Sequence, residues 1–300
     1  MKSPDNFEFS KKCPLCGNKQ SWRIFKSKNS TESVRFNASG DTKWNNDIYK
    51  CSICNHVYAI SSLDIENILT DYENLPDERF VSQFDNRFLT FRRNIKWALK
   101  LIDKNERPLN ALDIGTGSGA CVKAANSLGI SAKGVEPSKW LVDWIHSNHK
   151  ELDVIQGFLE DICEDDLKKD LIMNWDVIEH VENPLKFAKL LSSNLSTGSH
   201  ILISTPNWNS KLRILLGKYW PMHLDVHLHY FHDQTFLRIF NNLDFILVRK
   251  KRLWQTLDLG YILTRYLSGT GIHKLSNSWL VRKIRIRYYV GQSIYLMRKL

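Results

Sequence analysis

The chain has 300 residues, 43% hydrophobic and 25% charged, the composition of an ordinary soluble globular protein with room for one large domain or a medium and a small one. No uninterrupted apolar run approaches the ~18 residues of a membrane span, and the opening MKSPDNFEFSKKC lacks the apolar segment of a secretory signal, so a cytoplasmic location is expected. The net charge of +10 is lopsided: residues 249–300 hold twelve Lys/Arg against one acid, Asp258, so the remainder is near neutral and offers no broad phosphate-binding surface.

The first pattern along the chain is a pair of knuckles, Cys13-Pro-Leu-Cys16-Gly17 and Cys51-Ser-Ile-Cys54-Asn55. Each Cys-x-x-Cys is followed by a residue that tolerates left-handed backbone, which lets successive amides turn toward the sulfurs. Four thiolates in two pairs can close a tetrahedral site, the arrangement structural Zn2+ favours, and a closed site has no open position for catalysis. A redox pair is the other reading. Without a secretory context, a metal is expected rather than disulfides. The 34 residues between the pairs exceed a minimal ribbon, and polar stretches at 27–33 and 37–42 suggest a hairpin with a long loop. Cys121 and Cys163 fall in later apolar patterns and read as buried thiols.

Residues 57–80 read as a connection. Phe84, Phe88, Phe91, Ile95, Leu99 and Ile102 then recur at helical spacing and predict one apolar face of a long helix, ended by the Pro108 region. From Leu109 to Ser138 the pattern changes to a buried strand, a turn with Gly115, Gly117 and Gly119, a helix, and a second strand (Ala132–Val135) delivering Glu136. This is a β-turn-α-β unit of nucleotide-binding size. Gly115, Gly117 and Ala120 satisfy the dinucleotide fingerprint, and Glu136 stands where an acid accepts hydrogen bonds from ribose hydroxyls. Asp113, two positions before the first glycine, suits a cationic ligand and would repel a pyrophosphate. From the unit alone, a methyl donor, a dinucleotide and a plain tight turn all remain open.

Trp140, Leu141, Trp144 and Ile145 predict the next helix, and 153–157 a strand. The acidic segment 159–166 follows, with Glu160 and Asp161. Leu171–Met173 reads as a strand, and the turn 176–181 at its carboxyl end carries Glu179 and His180, where ligands of open α/β sheets sit. His180 can accept a proton from an acceptor hydroxyl, or the pair can simply order the loop. A helix over 184–195, a strand over 200–205 and a segment with His223, His227, His229 and His232 follow. With Asp225 these histidines admit a metal, an acceptor-facing lid or plain packing. Asp233 is expected to cap a helix through Phe240. A strand over 245–253 comes next. The run Arg282, Lys283, Arg285 and Arg287 lies among Trp279, Leu280, Ile284, Ile286 and Tyr288. It reads as a basic amphipathic helix, suited either to peripheral membrane contact or to a solvated core face. A closing strand over 294–298 ends the chain.

Asp113-x-Gly115-x-Gly117-x-Gly119 resembles motif I of the class I S-adenosylmethionine-dependent methyltransferases. Asp176-Val-Ile-Glu-His-Val181 is similar to the signature after the fourth core strand in a large group of them. The resemblance implies a Rossmann-like α/β fold with an open, mostly parallel seven-stranded sheet and an antiparallel last strand, preceded here by a zinc-ribbon-like module. It implies S-adenosyl-L-methionine contacts from Asp113, Gly115, Gly117, Gly119, Glu136, Asp161 (beside the adenine amino group) and Asn174, with Glu179 and His180 as catalytic residues. His227, Leu228 and Phe231 match the H-L-x-x-F of an acceptor-side lid, here 207–232, which implies acceptor contacts from His227, His229 and Tyr230. The expected organisation is a zinc module at 1–60 (Cys13, Cys16, Cys51, Cys54), lead-in helices at 61–108, the core at 109–256 and a basic segment at 257–300. A zinc knuckle on such a core resembles bacterial methyltransferases acting on sugars, nucleotide sugars or lipid-linked glycans in surface-polysaccharide pathways. Some sugar C-methyltransferases of that kind carry tyrosine two positions before the glutamate; Val177 stands there, which favours O-methylation. RNA is the rival acceptor, disfavoured by charge confined to the last segment. A non-enzymatic role, in which the module recruits a partner, is the remaining alternative.

Overall fold

The computed structural model describes residues 7–9, 12–26, 46–60, 76–162, 167–267 and 278–300. Cys163 and the polar stretches at 27–33 and 37–42 lie outside them. The amino end forms antiparallel strands β1 (Phe7–Phe9), β2 (Gln20–Phe25), β3 (Asp47–Cys51) and β4 (Val57–Ile60). The first residues of the expected connection are therefore a strand. Helix α1 (Glu78–Val81) is capped by Asp77, whose Oδ1 accepts from Phe80 N at 2.9 Å. Helix α2 (Phe84–Leu99) turns the expected apolar face inward.

The core alternates strands and helices: β5 (Asn110–Ile114), α3 (Ala120–Asn126), β6 (Ser131–Glu136), α4 (Lys139–Asn148), β7 (Asp153–Gln156), β8 (Leu171–Trp175), α5 (Pro184–Asn194) and β9 (His200–Pro206). Then come α6 (Lys211–Leu216), β10 (His229–Tyr230), α7 (Asp233–Asn241), β11 (Phe245–Arg252), β12 (Gln255–Asp258), α8 (Leu259–Leu267), α9 (Trp279–Lys283), β13 (Arg285–Tyr288) and β14 (Gln292–Lys299). The main sheet has seven strands in the order β11-β14-β9-β8-β5-β6-β7, with β14 alone antiparallel to its neighbours. This is the expected Rossmann-like sheet. Strands β8 and β9 are buried along their whole length, as parallel strands covered on both faces must be. One face packs Ile95 and Ala98 of α2 and the small residues of α3; the other packs Phe187 and Leu191 of α5 with Phe236 and Phe240 of α7.

Two expectations give way. Asp233 does not cap α7; His232 holds that position. The Asp233 carboxylate instead accepts from Asn207 Nδ2, Tyr295 Oη and Lys250 Nζ, tying α7 to the sheet. The basic run forms no amphipathic helix either: α9 stops at Lys283, and Arg285–Tyr288 pairs antiparallel with β12. Ile284, Ile286 and Tyr288 alternate with the arginines at strand period, and β-branched and aromatic residues on that period favour extended backbone. Among the described residues no helix is long and apolar enough to cross a membrane.

Candidate active site

Beyond Ile114 the chain turns through Gly115, Gly117 and Gly119 with φ of +70°, +58° and +76°. Side chains with a Cβ rarely adopt that region. At Gly115 a Cβ would also lie 2.6 Å from Val177 Cγ2. The glycine turn and the turn after β8 thus touch at the carboxyl ends of β5 and β8, where the strand order reverses and open α/β sheets hold their ligands. Phe80 of α1 lies over Gly117.

The glycine turn is tethered to β6. Gly115 N and Thr116 N donate to Val135 O at 2.9 and 3.0 Å. Glu136 is fully buried and accepts from Gly117 N at 2.7 Å through Oε2 and from Ser138 N at 3.0 Å through Oε1. Asp113 is also fully buried, with the Thr116 hydroxyl and Cys121 thiol beside it and no cationic partner among the described residues. Burial pushes its pKa up to about 7, partly offset by the nearby Thr116 hydroxyl and Cys121 thiol. Asn174 joins β8 to β5 through Nδ2 and Ile114 O at 3.4 Å, and its Oδ1 is buried with no hydrogen-bond partner among the described residues. Asp161 stands exposed beyond β7, its Oδ2 accepting from Phe158 N at 2.9 Å. The structure gathers Asp113, Asn174, Glu136 and the three glycines around one turn; Asp161 lies beside Gly157, beyond β7.

The turn after β8 is held from beneath. Asp176 adopts φ +56°, and its carboxylate accepts from Ser204 Oγ and from Gln292 Nε2. Glu179 is fully buried: Oε2 accepts from Thr205 Oγ1 at 3.0 Å, while Oε1 has no hydrogen-bond partner among the described residues. Burial, reinforced by the Asp176 charge, pushes its pKa well up. His180 Nδ1 donates to Val226 O at 2.8 Å, and its ring also bonds the Asp176 backbone. Burial lowers the His180 pKa to about 4, which leaves the ring neutral. His227 comes in from the lid, its ring centroid 4.8 Å from that of His180 and its Nδ1 2.8 Å from Met222 O. The arrangement brings a buried carboxylate and two imidazoles together.

The other two lid residues pack between this cluster and the module: Tyr230 lies edge-on to His227 with ring centroids 6.0 Å apart, and His229 N donates to Glu179 O at 3.1 Å. The β10 backbone pairs with β4 of the amino-terminal module, Tyr58 opposite His229 and Val57 opposite Tyr230. This extends the module into a five-stranded sheet. His229 donates through Nε2 to Val181 O at 2.9 Å and accepts at Nδ1 from His56 Nε2 at 3.1 Å, so both of its nitrogens are engaged. Tyr230 is buried among Trp208, Trp220 and His223, with its hydroxyl 3.3 Å from Leu224 O. Strand pairing and the His56 bond tie these two residues to the module as well. His56, which bridges module and lid, and Thr205, which holds Glu179, went unnoticed in the sequence; His56 lies outside any Cys-x-x-Cys spacing, and Thr205 looks like any strand threonine.

Within the module the four cysteine sulfurs lie within 4.8 Å of one another. Cys13 and Cys54 Sγ are 3.6 Å apart, Cys16 and Cys51 Sγ 3.5 Å. Zn–S bonds of about 2.3 Å in a tetrahedron put sulfurs roughly 3.8 Å apart, so the set fits a structural zinc, and the separations are far beyond a disulfide of about 2 Å. The Cys13 thiol beside it holds the Cys54 pKa down to about 5. Such a metal would supply cross-linking only, since four thiolates fill its shell.

A family model described as a methyltransferase domain matches residues 86–250. That is more than half of the chain. The chain belongs to this methyltransferase family. The matched segment of the methyltransferase carries the glycine turn, Glu136, Glu179, His180 and His227, and leaves the four cysteines and β14 outside. The chain is similar to the ubiquinone biosynthesis O-methyltransferase of Maricaulis maris, 31% identical over 127 residues, covering 39% of this chain and 50% of that protein. It is also similar to the mitochondrial ubiquinone biosynthesis O-methyltransferase of Dictyostelium discoideum, 31% identical over 114 residues, 33% of this chain and 36% of the other. It thus spans half or less of the length of these curated relatives. Among solved structures, the magnesium protoporphyrin IX methyltransferase of Synechocystis PCC 6803 with bound S-adenosylmethionine superposes with a TM-score of 0.49 at 16% identity, covering 80% of this chain and all of that one.

Proposed function

We propose that the chain transfers the methyl group of S-adenosylmethionine to a hydroxyl oxygen of a small-molecule acceptor, with a sugar or glycan hydroxyl as the favoured class. The observation that carries this reading is Asp113: a fully buried carboxylate with no cationic partner among the described residues, at the end of β5 before the glycine turn, calls for a cation. The methionine ammonium supplies one; a pyrophosphate does not. In this reading Glu136, which holds the turn, accepts from the ribose hydroxyls, and Asp161 accepts from the adenine amino group. When bound, the cofactor supplies an electrophilic methyl group on a sulfonium. The chain's part is to align the acceptor with it and to draw off the hydroxyl proton, which falls to the Glu179, His180 and His227 cluster. The four cysteines hold a structural zinc that fixes the lid.

A pH dependence follows from Asp113. The ammonium pairs with the ionised carboxylate, whose pKa in the ligand-free chain is about 7. Below that pH the carboxylate must release its proton for the donor to bind, so affinity should fall about tenfold per pH unit between pH 7 and 5.5. Calorimetry in buffers of different ionisation heat should register that proton release. A pH-independent affinity would remove Asp113 from the contact.

Acceptor class is tested with tritium-labelled methyl donor against sugars, nucleotide sugars, lipid-linked glycans, catechols and RNA. Label on an oxygen of a small molecule or glycan is expected; label on RNA alone would overturn the acceptor reading.

A further inference from the structure

Arg93 of α2, Lys251 of β11 and Arg287 of β13 gather beside the edge strand of the main sheet. Arg93 Nη1 donates to Thr256 Oγ1 at 3.3 Å, and Thr256 stands directly opposite Arg287 in the β12–β13 pair. Opposite residues of an antiparallel pair put their side chains on one face, with Cβ atoms about 5 Å apart. Lys251 Nζ lies 4.1 Å from the centre of the Trp97 ring, and Trp97 follows Arg93 by one helical turn. Among the described residues no carboxylate pairs with any of the three cations. Asp258, the one acid of the last segment, is buried and accepts from Tyr261 N and Gln83 Nε2. Lys250 faces the other side of β11 and pairs with Asp233. Burial, reinforced by the Arg93 and Arg287 charges, lowers the Lys251 pKa to about 8; burial and the Arg287 charge lower that of Arg93. Three like charges held together without a carboxylate favour an anion among them.

We propose that Arg93, Lys251 and Arg287 form a binding site for a diphosphate ester, separate from the glycine turn, with the phosphate oxygens received by the two guanidinium groups and the ammonium. Guanidinium groups match phosphate oxygens in bidentate geometry, and an ammonium adds a point charge. Thr256 Oγ1 holds one guanidinium in place before the ligand arrives. The position of the site relates it to the reaction. Strand β11 runs parallel to β9, since both are antiparallel to β14, so Lys251 lies near the carboxyl-end edge of the sheet that also carries the glycine turn and the Glu179 cluster. Gln255 Nε2 donates to Gln292 Oε1 at 2.6 Å, and Gln292 Nε2 donates to Asp176, which joins the start of β12 to the turn that holds Glu179 and His180. Three interstrand steps separate β11 from β8, about 14 Å. An extended acceptor, with its diphosphate remote from the hydroxyl to be methylated, spans that distance: its charge is anchored at the cations while its hydroxyl reaches the cluster. The site itself stands on the three cations; its role as an acceptor anchor rests on the methyl-transfer reading.

The test is calorimetric titration of uridine diphosphate into the full-length, zinc-loaded chain, with phosphatidylcholine vesicles carrying farnesyl diphosphate as the lipid-linked counterpart. One equivalent should bind, and Arg93→Gln, Lys251→Gln and Arg287→Gln should each weaken it at least about tenfold, the loss of one charge-assisted hydrogen bond. Arg93 and Arg287 are exposed, so their replacement leaves the fold intact, and S-adenosylmethionine affinity should be unchanged in all three variants. Lys189→Gln, at an exposed position of α5, should bind the diphosphate as wild type does. Uptake of uridine diphosphate marks a soluble ester as the ligand, and uptake of the farnesyl diphosphate vesicles alone marks a lipid-linked one; both keep the site. Chain that binds the methyl donor but neither diphosphate probe would overturn the site and leave the methyl-transfer reading standing. So would equal weakening by Lys189→Gln, or uptake of phosphatidylglycerol vesicles or RNA in place of both diphosphates. Diphosphate binding that is lost in the three variants, by a chain that takes up no methyl donor, would sink the reading of the function and keep the site.

Discussion

Replacing Cys54 with serine, or stripping the metal from the four-cysteine site, is expected to cut methyl transfer at least about 100-fold, the scale of an ångström-sized misplacement at a reacting centre. Affinity for S-adenosylmethionine should stay within about twofold, because the donor contacts share no residue with the module. The reason is the path from module to acceptor side. Cys54 and Cys51 flank the turn between β3 and β4, and β4 pairs with β10 of the lid. Three further bonds cross the seam: Ala59 N to Leu228 O at 2.9 Å, Asn46 Nδ2 to Asp225 O at 2.6 Å, and His56 Nε2 to His229 Nδ1 at 3.1 Å. His229 in turn reaches Val181 O, the residue after His180. An apolar cluster of Ile48 and Val57 with Trp208, Trp220, Met222 and Tyr230 closes the seam. A structural zinc contributes on the order of 10 kcal/mol to folding its module, so without it the β4 edge will not hold. His227 then leaves Glu179 and His180. Full turnover of metal-free chain with all four thiols reduced would contradict this.

Glu136→Ala should weaken S-adenosylmethionine binding about 10- to 100-fold, the equivalent of roughly 1.5–3 kcal/mol for hydrogen bonds to a charged acceptor. The substitution acts twice. It removes the acceptor for two ribose hydroxyls, and it strands Gly117 N and Ser138 N, which now donate to the carboxylate in a fully buried site. Each buried amide without a partner costs about 1–3 kcal/mol, so the ligand-free chain should also melt several degrees lower. Glu136→Gln is the informative companion. Its carbonyl can keep one amide bond, but its NH2 group cannot accept the other, so it should fall between wild type and alanine in both measurements. A folded Glu136→Ala chain that binds the donor as wild type does would remove the ribose contact.

The glycine turn, Asp113, Glu136 and the Glu179-His180 pair were legible in the sequence because each is a local pattern, read from a strand that ends and a turn that must follow. The long apolar helix and the buried parallel strands were legible for the same reason: their periodicity extends over whole elements. The seam between module and lid was not. It joins residues about 170 positions apart through a strand of two residues, His229 and Tyr230, too short to show an alternation. That pairing also ties His229 and Tyr230, which look like acceptor contacts beside His227, to the module. Asp233 was misplaced by one position because a cap and the first helical residue have similar sequence preferences; the three donors that reach it come from distant strands and loops. The basic run was read by composition, and its period-two alternation of arginine with Ile284, Ile286 and Tyr288 was the signal passed over.

The most direct measurement is calorimetric titration of S-adenosylmethionine into the zinc-loaded chain, with NAD titrated in parallel. Binding of the methyl donor in one equivalent, lost in Asp113→Ala and absent for NAD, is the predicted result. Binding of NAD in place of the methyl donor would contradict the reading of Asp113 as a partner for a cation, and with it the proposed chemistry.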